Sequence, residues 1–408
     1  MAVNLPELGS LLPVRGVRLG VGQAAIKRPG RDDLVVLLLD AGSTAGAVFT
    51  RSAFRAAPVQ IAEAVTGRGG VRALVINSGN ANAATGDPGL EDAQRICAAV
   101  GSAAKIDAAA VMPFSTGVIG QRLPVERMAA AVPAAVAAAE SSGVAWERAA
   151  RAIMTTDTAP KALSRQVELD GTTVTITGMA KGAGMIKPDM ATMLAYVCTD
   201  ACVDAACLRA LTREVADASF NRITIDGDTS TNDSFVVIAT GRAGHAPIRS
   251  ADDAAYPVLA RALTEVAQEL AQRIVRDGEG ATKFVTVRVS GGASESECLS
   301  VAYTVAESPL VKTAVFAGDP NWGRFCMAIG RAGLDALDTA GVSLRLDEVQ
   351  VARGGMIAPE YREEDGAAVM ARDEFEVHIE LGRGDAEAVV WTSDLSYEYV
   401  RINAEYRT

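Results

Sequence analysis

Histidine is almost absent from this 408-residue chain, with His245 and His378 the only two. A Ser-His-Asp or Cys-His catalyst must use one of them, yet neither "GRAGHAPI" nor "FEVHIEL" offers suggestive neighbours. A nucleophile here finds its base elsewhere, and lysine or an N-terminal amine are the usual substitutes. The six cysteines (Cys97, Cys198, Cys202, Cys207, Cys298 and Cys326) form no CxxC pair. No histidine lies near Cys198, Cys202 and Cys207, so they are predicted to be small buried hydrophobes of a reduced protein, not zinc ligands. Basic charge is in deficit: 39 Lys and Arg against 50 Asp and Glu give a net charge of −11. That excludes the basic footprint a nucleic-acid or anionic-membrane surface requires. Long apolar runs are missing too. "MAAAVPAAVAAA" (128–139) is broken by Pro133 and too short to cross a bilayer. "MAVNLPELGSLLPVRG" has no charged segment followed by an apolar one, and a cytoplasmic location is the expectation.

What is present is a globular composition, 49% hydrophobic and 22% charged, long enough for two lobes or one large layered unit. Apolar runs at 34–39, 71–76, 192–197, 234–240 and 284–289 predict buried strands. "VELDGTTVTITG" (167–178) predicts a hairpin turning at Asp170-Gly171. Alternation at 374–381 and 388–394 predicts two further strands. Helical periodicity falls at 89–100, 125–139 (with a kink required at Pro133), 146–154, 203–219, 254–275 and 323–332. The expected fold class is α/β or α+β, with sheets and helices in layers.

Several loops invite a chemical reading. "NSGNANAATG" (77–86) is read as a structural loop braced by side-chain-to-backbone hydrogen bonds. "PFSTGVIG" (113–120) presents Ser115, Thr116 and Gly117 in a predicted turn, where glycine lets N–H groups converge as an oxyanion hole requires. "DGDTSTND" (226–233) suggests calcium, but the sixth and twelfth positions are Thr231 and Val237 where glycine and glutamate are needed. In "RDGEGATK" (276–283), Glu279 is either an exposed acid at a helix C-cap or a carboxylate held for a ligand amine. "SPLVKTAVFAGDPNWGRF" (308–325) reads as a strand-like run, a turn, and a helix start that suits either an anion or packing.

"KGAGMIKPDMATMLAYV" (181–197) has two surviving readings, since the phosphate-loop pattern GxxxxGK[ST] is missing. One is a turn feeding a core strand. The other is a self-cleaving precursor, in which the Thr192 hydroxyl attacks the Ala191 carbonyl, passes through an ester and is released by water. The new N-terminal threonine then carries nucleophile and base together, because an α-amino group of pKa roughly 7.7–8.0 is partly neutral at cellular pH.

Separated blocks in order break the tie: "VINSGNANAATG", "STGVIG", "IMTTDT", "GMAKGAGMIKPDMATML", "NRITIDGDTSTNDSF", "VRDGEGATKF", "SPLVKTAVFAGDPNWGR" and "YVRINAEYRT". From about Gly16 to Thr408 the chain resembles the ornithine acetyltransferase family, the self-processing glutamate N-acetyltransferases of arginine biosynthesis. The resemblance implies acetyl transfer from N2-acetyl-L-ornithine to L-glutamate through an acetyl-Thr192 ester. It implies cleavage between Ala191 and Thr192, giving an α chain (1–191) and a β chain (192–408) that together form one composite α/β unit. Thr116 and Gly117 match the oxyanion hole; Thr155, Lys181, Thr192, Glu279, Asn403 and Thr408 match substrate-binding positions. The fold implied is the layered α/β sandwich shared with self-processing aminopeptidases of the D-aminopeptidase/esterase type. An α2β2 heterotetramer, amino-acid substrates and no metal or organic cofactor are also implied, with acetyl-CoA a second acetyl donor in some members. Asp189 stands where asparagine is more frequent in the family, and Lys187 at a variable position. A related self-cleaving amidohydrolase or aminopeptidase, with water as acceptor, is the alternative.

Overall fold

A computed structural model of the chain describes residues 2–187 and 193–405. Ala191, Thr192 and Thr408 therefore lie outside the described residues. Two sheets stack face to face at its centre. The first runs Val17–Gly22, Leu34–Leu39, Ala73–Asn80, Val111–Val118, with only its last pair parallel. The second runs Thr44–Phe49, Ser234–Ala239, Leu194–Thr199, Thr172–Lys181, Lys161–Leu169. "LVVLLL" explains the layering, because a strand apolar at every position must be covered on both faces. Val35 and Leu37 point inward to Met179, Tyr196 and Val236 of the second sheet. Leu34, Val36 and Leu38 pack outward with Ile96, Val100 and Val132 of the helices Gly86–Ala104 and Val125–Ala137. The second sheet's outer face, with Val197 and Val237, packs on the helices Ala205–Asp217 and Tyr256–Arg276. The order is helix, sheet, sheet, helix: the layered α/β class expected.

A third, seven-stranded sheet runs Met356–Ile357, Val349–Arg353, Ser343–Leu346, Glu374–Glu380, Phe284–Gly292, Ala386–Ser393, Ile223–Thr224. Its buried positions alternate strictly in Glu374–Glu380, the signature of a sheet covered on one face. The cover comprises the helices Glu295–Ala306, Pro309–Ala317 and Trp322–Gly330. Among the described residues no helix is long and apolar enough to cross a membrane.

Three expectations need correction. The strand-like run after Ser308 is the helix Pro309–Ala317. Its β-branched residues mislead; the Ser308 side chain accepts from Val311 N–H, Pro309 occupies the first turn, and Gly318 caps the end at φ +68°. "STG" is not a turn but the end of the strand Val111–Val118. "NSGN" is likewise strand, in Ala73–Asn80, because the two segments pair: Ser78 faces Thr116 and Gly79 faces Gly117. The hairpin turns at Asp170 and Gly171 as expected, both at positive φ, but its arms extend to Lys161 and Lys181. The helix over Pro133 continues to Ala137. Cys97, Cys198, Cys207 and Cys298 are buried, whereas Cys202 is half-buried and Cys326 exposed, and all six are free thiols.

Candidate active site

The two central sheets meet at a cavity of about 280 Å³, to which several strand ends contribute. Thr116 and Gly117 come from one sheet, Lys181 and Leu194 from the other, and Thr155, Glu279 and Asn403 from the segments around them. Six predicted positions scattered over 116–403 thus share one wall. Thr192 is joined by a single peptide bond to Met193, which lines the same cavity.

Packing explains the glycine beside Thr116. Gly117 has φ +133°, and a Cβ there would meet the Gly79 carbonyl carbon at 2.3 Å and the Asn80 nitrogen at 2.5 Å. Only glycine lets the two strands approach so closely. The Ser115 hydroxyl donates to Asn77 Oδ1 at 2.6 Å, and Asn77 Nδ2 donates to the Asn80 carbonyl at 2.8 Å. From the "DGDTSTND" segment, Asn232 Nδ2 donates to the carbonyls of Ala81 and Ser115 at 2.6 and 2.8 Å. The end of the strand Ala73–Asn80 and the 226–233 segment together brace Thr116 and Gly117.

Charge is arranged in two tiers. At the cavity wall, Lys181 Nζ donates to Thr116 Oγ1 at 3.1 Å. Burial, reinforced by the Lys161 ammonium, draws the Lys181 pKa below its ordinary value against the pull of Asp157, Asp233 and Glu279. Behind it, Lys161 is wholly buried and reaches Asp157 Oδ1 and Asp277 Oδ2, both at 2.6 Å. Burial opposes both charges of the first pair, yet their attraction wins: Asp157 is held well below the carboxylate range and Lys161 is raised. Asp157 also accepts from the N–H groups of Thr155 at 2.9 Å and Gly182 at 2.8 Å. Asp277 accepts from Thr158 N–H at 3.0 Å. The triad therefore sets the backbone that carries Thr155 and follows Lys181.

Glu279 is 8% exposed, so the exposed-cap reading fails. Its N–H donates to the Ala183 carbonyl at 2.7 Å, and its Oε2 accepts from Asn403 Nδ2 at 2.8 Å. Gly184 makes room for it, since a Cβ there would lie 2.5 Å from Glu279 Oε2. Asp226 accepts from the N–H groups of Met185 and Ile186 at 2.6 and 2.8 Å and from the Tyr399 hydroxyl at 3.2 Å. It ties the lysine-bearing loop to the C-terminal helix Tyr397–Ala404 that carries Asn403. Asp233, 2% exposed, also lines the cavity; burial pushes its carboxyl well above the usual range despite a hydrogen bond from Ser230 N–H.

Neither histidine joins the site. His245 is structural, its Nε2 accepting from Cys202 N–H at 3.0 Å. His378 Nε2 meets the Ser290 hydroxyl at 2.7 Å, a pairing not visible in the sequence. Its Nδ1 faces Arg345, where a serine hydrolase needs an acid. Burial and Arg345 lower the imidazole pKa, which disfavours the imidazolium that proton abstraction would create. Among the described residues no group of three or more His, Cys, Asp or Glu side chains could hold a metal ion.

Asp157, Lys161 and Asp277 were not singled out by the sequence, and Asp226 and Asp233 were weighed only as the ends of a failed calcium loop. The available signal was a lysine and aspartates within or beside otherwise apolar strand and helix ends, as in Lys161 before "ALS" and Asp277 after "RIVR". Their partnerships span up to 173 positions, beyond the reach of any local pattern.

A family model described as the ArgJ family matches residues 18–408. The arginine biosynthesis bifunctional protein ArgJ of Pseudomonas syringae pv. tomato is 54% identical over 408 residues, covering 100% of both chains. Among solved structures, the arginine biosynthesis bifunctional protein argJ of Bacillus halodurans shares 36% identity at a TM-score of 0.49, over 51% of this chain and 97% of that one. The ornithine acetyltransferase of Mycobacterium tuberculosis, complexed with ornithine, shares 36% identity at a TM-score of 0.39, over 44% of this chain and 95% of that one.

Proposed function

The chain belongs to the ArgJ family, and from that premise we propose that it moves an acetyl group from N2-acetyl-L-ornithine to L-glutamate in arginine biosynthesis. The observation that carries this reading is one cavity walled by a lysine, a carboxylate and a Thr-Gly pair, beside the chain that continues into Thr192. The precursor cuts itself between Ala191 and Thr192, yielding an α chain of residues 1–191 and a β chain of residues 192–408. Both remain in one unit, which assembles as an α2β2 heterotetramer in the cytoplasm.

The Thr192 amine takes the hydroxyl proton as the oxygen attacks the acetyl carbonyl. Charge developing on the carbonyl oxygen is met by donors at Thr116 and Gly117, each worth roughly 2.7–4 kcal/mol of barrier. Lys181 fixes the α-carboxylate common to both substrates. Glu279, oriented by Asn403, takes the ornithine side-chain ammonium. Thr155 and Thr408 complete the substrate contacts. The Thr192 ammonium gives that proton to the nitrogen of the departing ornithine, glutamate's amine then attacks the Thr192 ester, and the threonine oxygen recovers a proton from that amine. The acetyl group is activated by the protein's own ester, so no metal or organic cofactor is called for. Acetyl-CoA is a second donor to the same threonine.

The test is a denaturing gel with intact-mass measurement, followed by incubation with N-acetylornithine with and without glutamate. Two chains ending at 191 and starting at 192, with ornithine release dependent on glutamate, are expected. A single polypeptide, or full turnover by Thr192→Val, defeats the reading. Ornithine release at full rate without glutamate assigns the chain to the hydrolase alternative instead.

A further inference from the structure

The C-terminal helix Tyr397–Ala404 brings Asn403 to the cavity, yet it has only eight residues and none of them is fully buried. A helix that short is not stable by itself, and most helices are held by an apolar face. Here that face is thin: Tyr397 and Val400 are exposed, and Tyr399 and Ile402 are only half-buried. Polar contacts take its place, one in each turn. At the start, the Ser396 hydroxyl donates to the Gly280 carbonyl at 2.6 Å, one residue past Glu279. Gly280 is at φ +69°, and a Cβ there would lie 2.4 Å from Tyr399 N, so the helix rests directly on this turn. Next, the Tyr399 hydroxyl donates to Asp226 Oδ2 at 3.2 Å. In the last turn, Asn403 Nδ2 donates to Glu279 Oε2 at 2.8 Å and to the Tyr399 carbonyl at 3.1 Å.

Asp226 is a fixed anchor, because its two oxygens also accept from Met185 and Ile186 N–H at 2.6 and 2.8 Å. A hydroxyl donating to a carboxylate is a charge-assisted bond, stronger than a neutral one. The Glu279 backbone needs no help from the helix, since its own N–H is held by the Ala183 carbonyl at 2.7 Å. Its carboxylate takes its hydrogen bond from Asn403, so its direction depends on where the helix holds Asn403. Granted the acetyl-transfer reading above, we infer that Tyr399 is a positioning residue for the donor half of the reaction. By anchoring the C-terminal helix to Asp226 it holds Asn403, and through Asn403 it aims the Glu279 carboxylate at the side-chain ammonium of N-acetylornithine. Glutamate carries no such ammonium, so the anchor serves one half-reaction and not the other. Displacing a positioning group by about 1 Å can cost up to about 10²-fold in rate.

Tyr399→Phe removes the hydroxyl and keeps the ring, and steady-state kinetics of the full-length protein test the inference. The value of kcat/KM for N-acetylornithine is expected to fall about fivefold or more, while kcat/KM for glutamate stays within about twofold. In a ping-pong cycle these two constants report separate half-reactions. A general loss of folded enzyme lowers both equally, so the split separates positioning from stability. Because Tyr399 acts through Glu279, Tyr399→Phe/Glu279→Gln should use N-acetylornithine no worse than Glu279→Gln alone. The inference is overturned if Tyr399→Phe leaves kcat/KM for N-acetylornithine unchanged, if the constants for both substrates fall together, or if the losses of the two substitutions multiply. Failure of the parent to release ornithine from N-acetylornithine is a separate result, and it removes the underlying acetyl-transfer reading.

Discussion

Replacing Lys161 by methionine removes one ammonium from between two carboxylates that have no access to water. Lys161, Asp157 and Asp277 side chains are all 0% exposed, and both N–O distances are 2.6 Å. At an effective dielectric of about 20, each contact supplies about 6 kcal/mol of Coulomb attraction before desolvation is subtracted. Removing one partner of such a buried group costs about 3–5 kcal/mol, because the remaining charges stay buried without compensation. Urea unfolding at fixed protein concentration, followed through the buried Trp146, measures that loss. The pH dependence identifies its origin. With Lys161 present, the Asp157 pKa is lowered, so its contribution is complete above the unfolded value of about 3.9 and is lost as pH falls through the folded value. Without Lys161, burial is opposed only by the more distant Lys181 ammonium and by the N–H groups of Thr155 and Gly182. The Asp157 pKa then rises, and its ionisation costs stability above about pH 4. The gap between parent and variant must therefore widen from about pH 4 to pH 7. A loss below about 1 kcal/mol, or one equal at pH 4.5 and pH 8, refutes charge burial as the cause. Asp157→Asn/Lys161→Met/Asp277→Asn should recover part of the loss. Because Asp157 holds the N–H groups of Thr155 and Gly182, the single variant should also raise KM for both amino-acid substrates.

Other expectations are narrower. Lys181→Met should raise KM for N-acetylornithine and glutamate alike, by about 10- to 150-fold, the worth of a charge-assisted hydrogen bond; an unchanged KM removes Lys181 from carboxylate binding. Glu279→Gln should raise KM for N-acetylornithine more than for glutamate, and equal rises in steady-state assays argue against an ammonium partner. Gly117→Ala, facing backbone atoms at 2.3 and 2.5 Å, should lower stability by more than about 3 kcal/mol or yield insoluble protein, whereas a normal melting temperature contradicts the close strand approach. Asp233→Asn should stabilise the fold at neutral pH, because a carboxyl with a raised folded pKa loses stability as pH climbs above its unfolded value. The gain should vanish below about pH 4 in thermal melts; a gain that persists there points to packing instead.

Residue order alone determined the layers. "LVVLLL" demanded cover on both faces, and Leu259, Leu263, Val266, Leu270 and Ile274 specified a helix with one buried stripe, all of them 0–1% exposed. Periodicity carries this information because burial repeats every two or 3.6 residues. The separated motif blocks likewise named six of the residues that line the cavity, Thr116, Gly117, Thr155, Lys181, Glu279 and Asn403. Local pattern failed at Pro309–Ala317, where β-branched residues concealed a capped helix, and at "STG", where pairing with Ser78 and Gly79 turned an apparent turn into a strand end. Tertiary structure alone decided that Glu279 is buried against Gly184, that Asp277 reaches Lys161 across 116 positions, and that a basic loop flanks the central cavity. Those relations are distances between remote parts of the chain. A distance exists only after the sheets have stacked, and the energy of a buried charge depends on which partner stacking delivers to it.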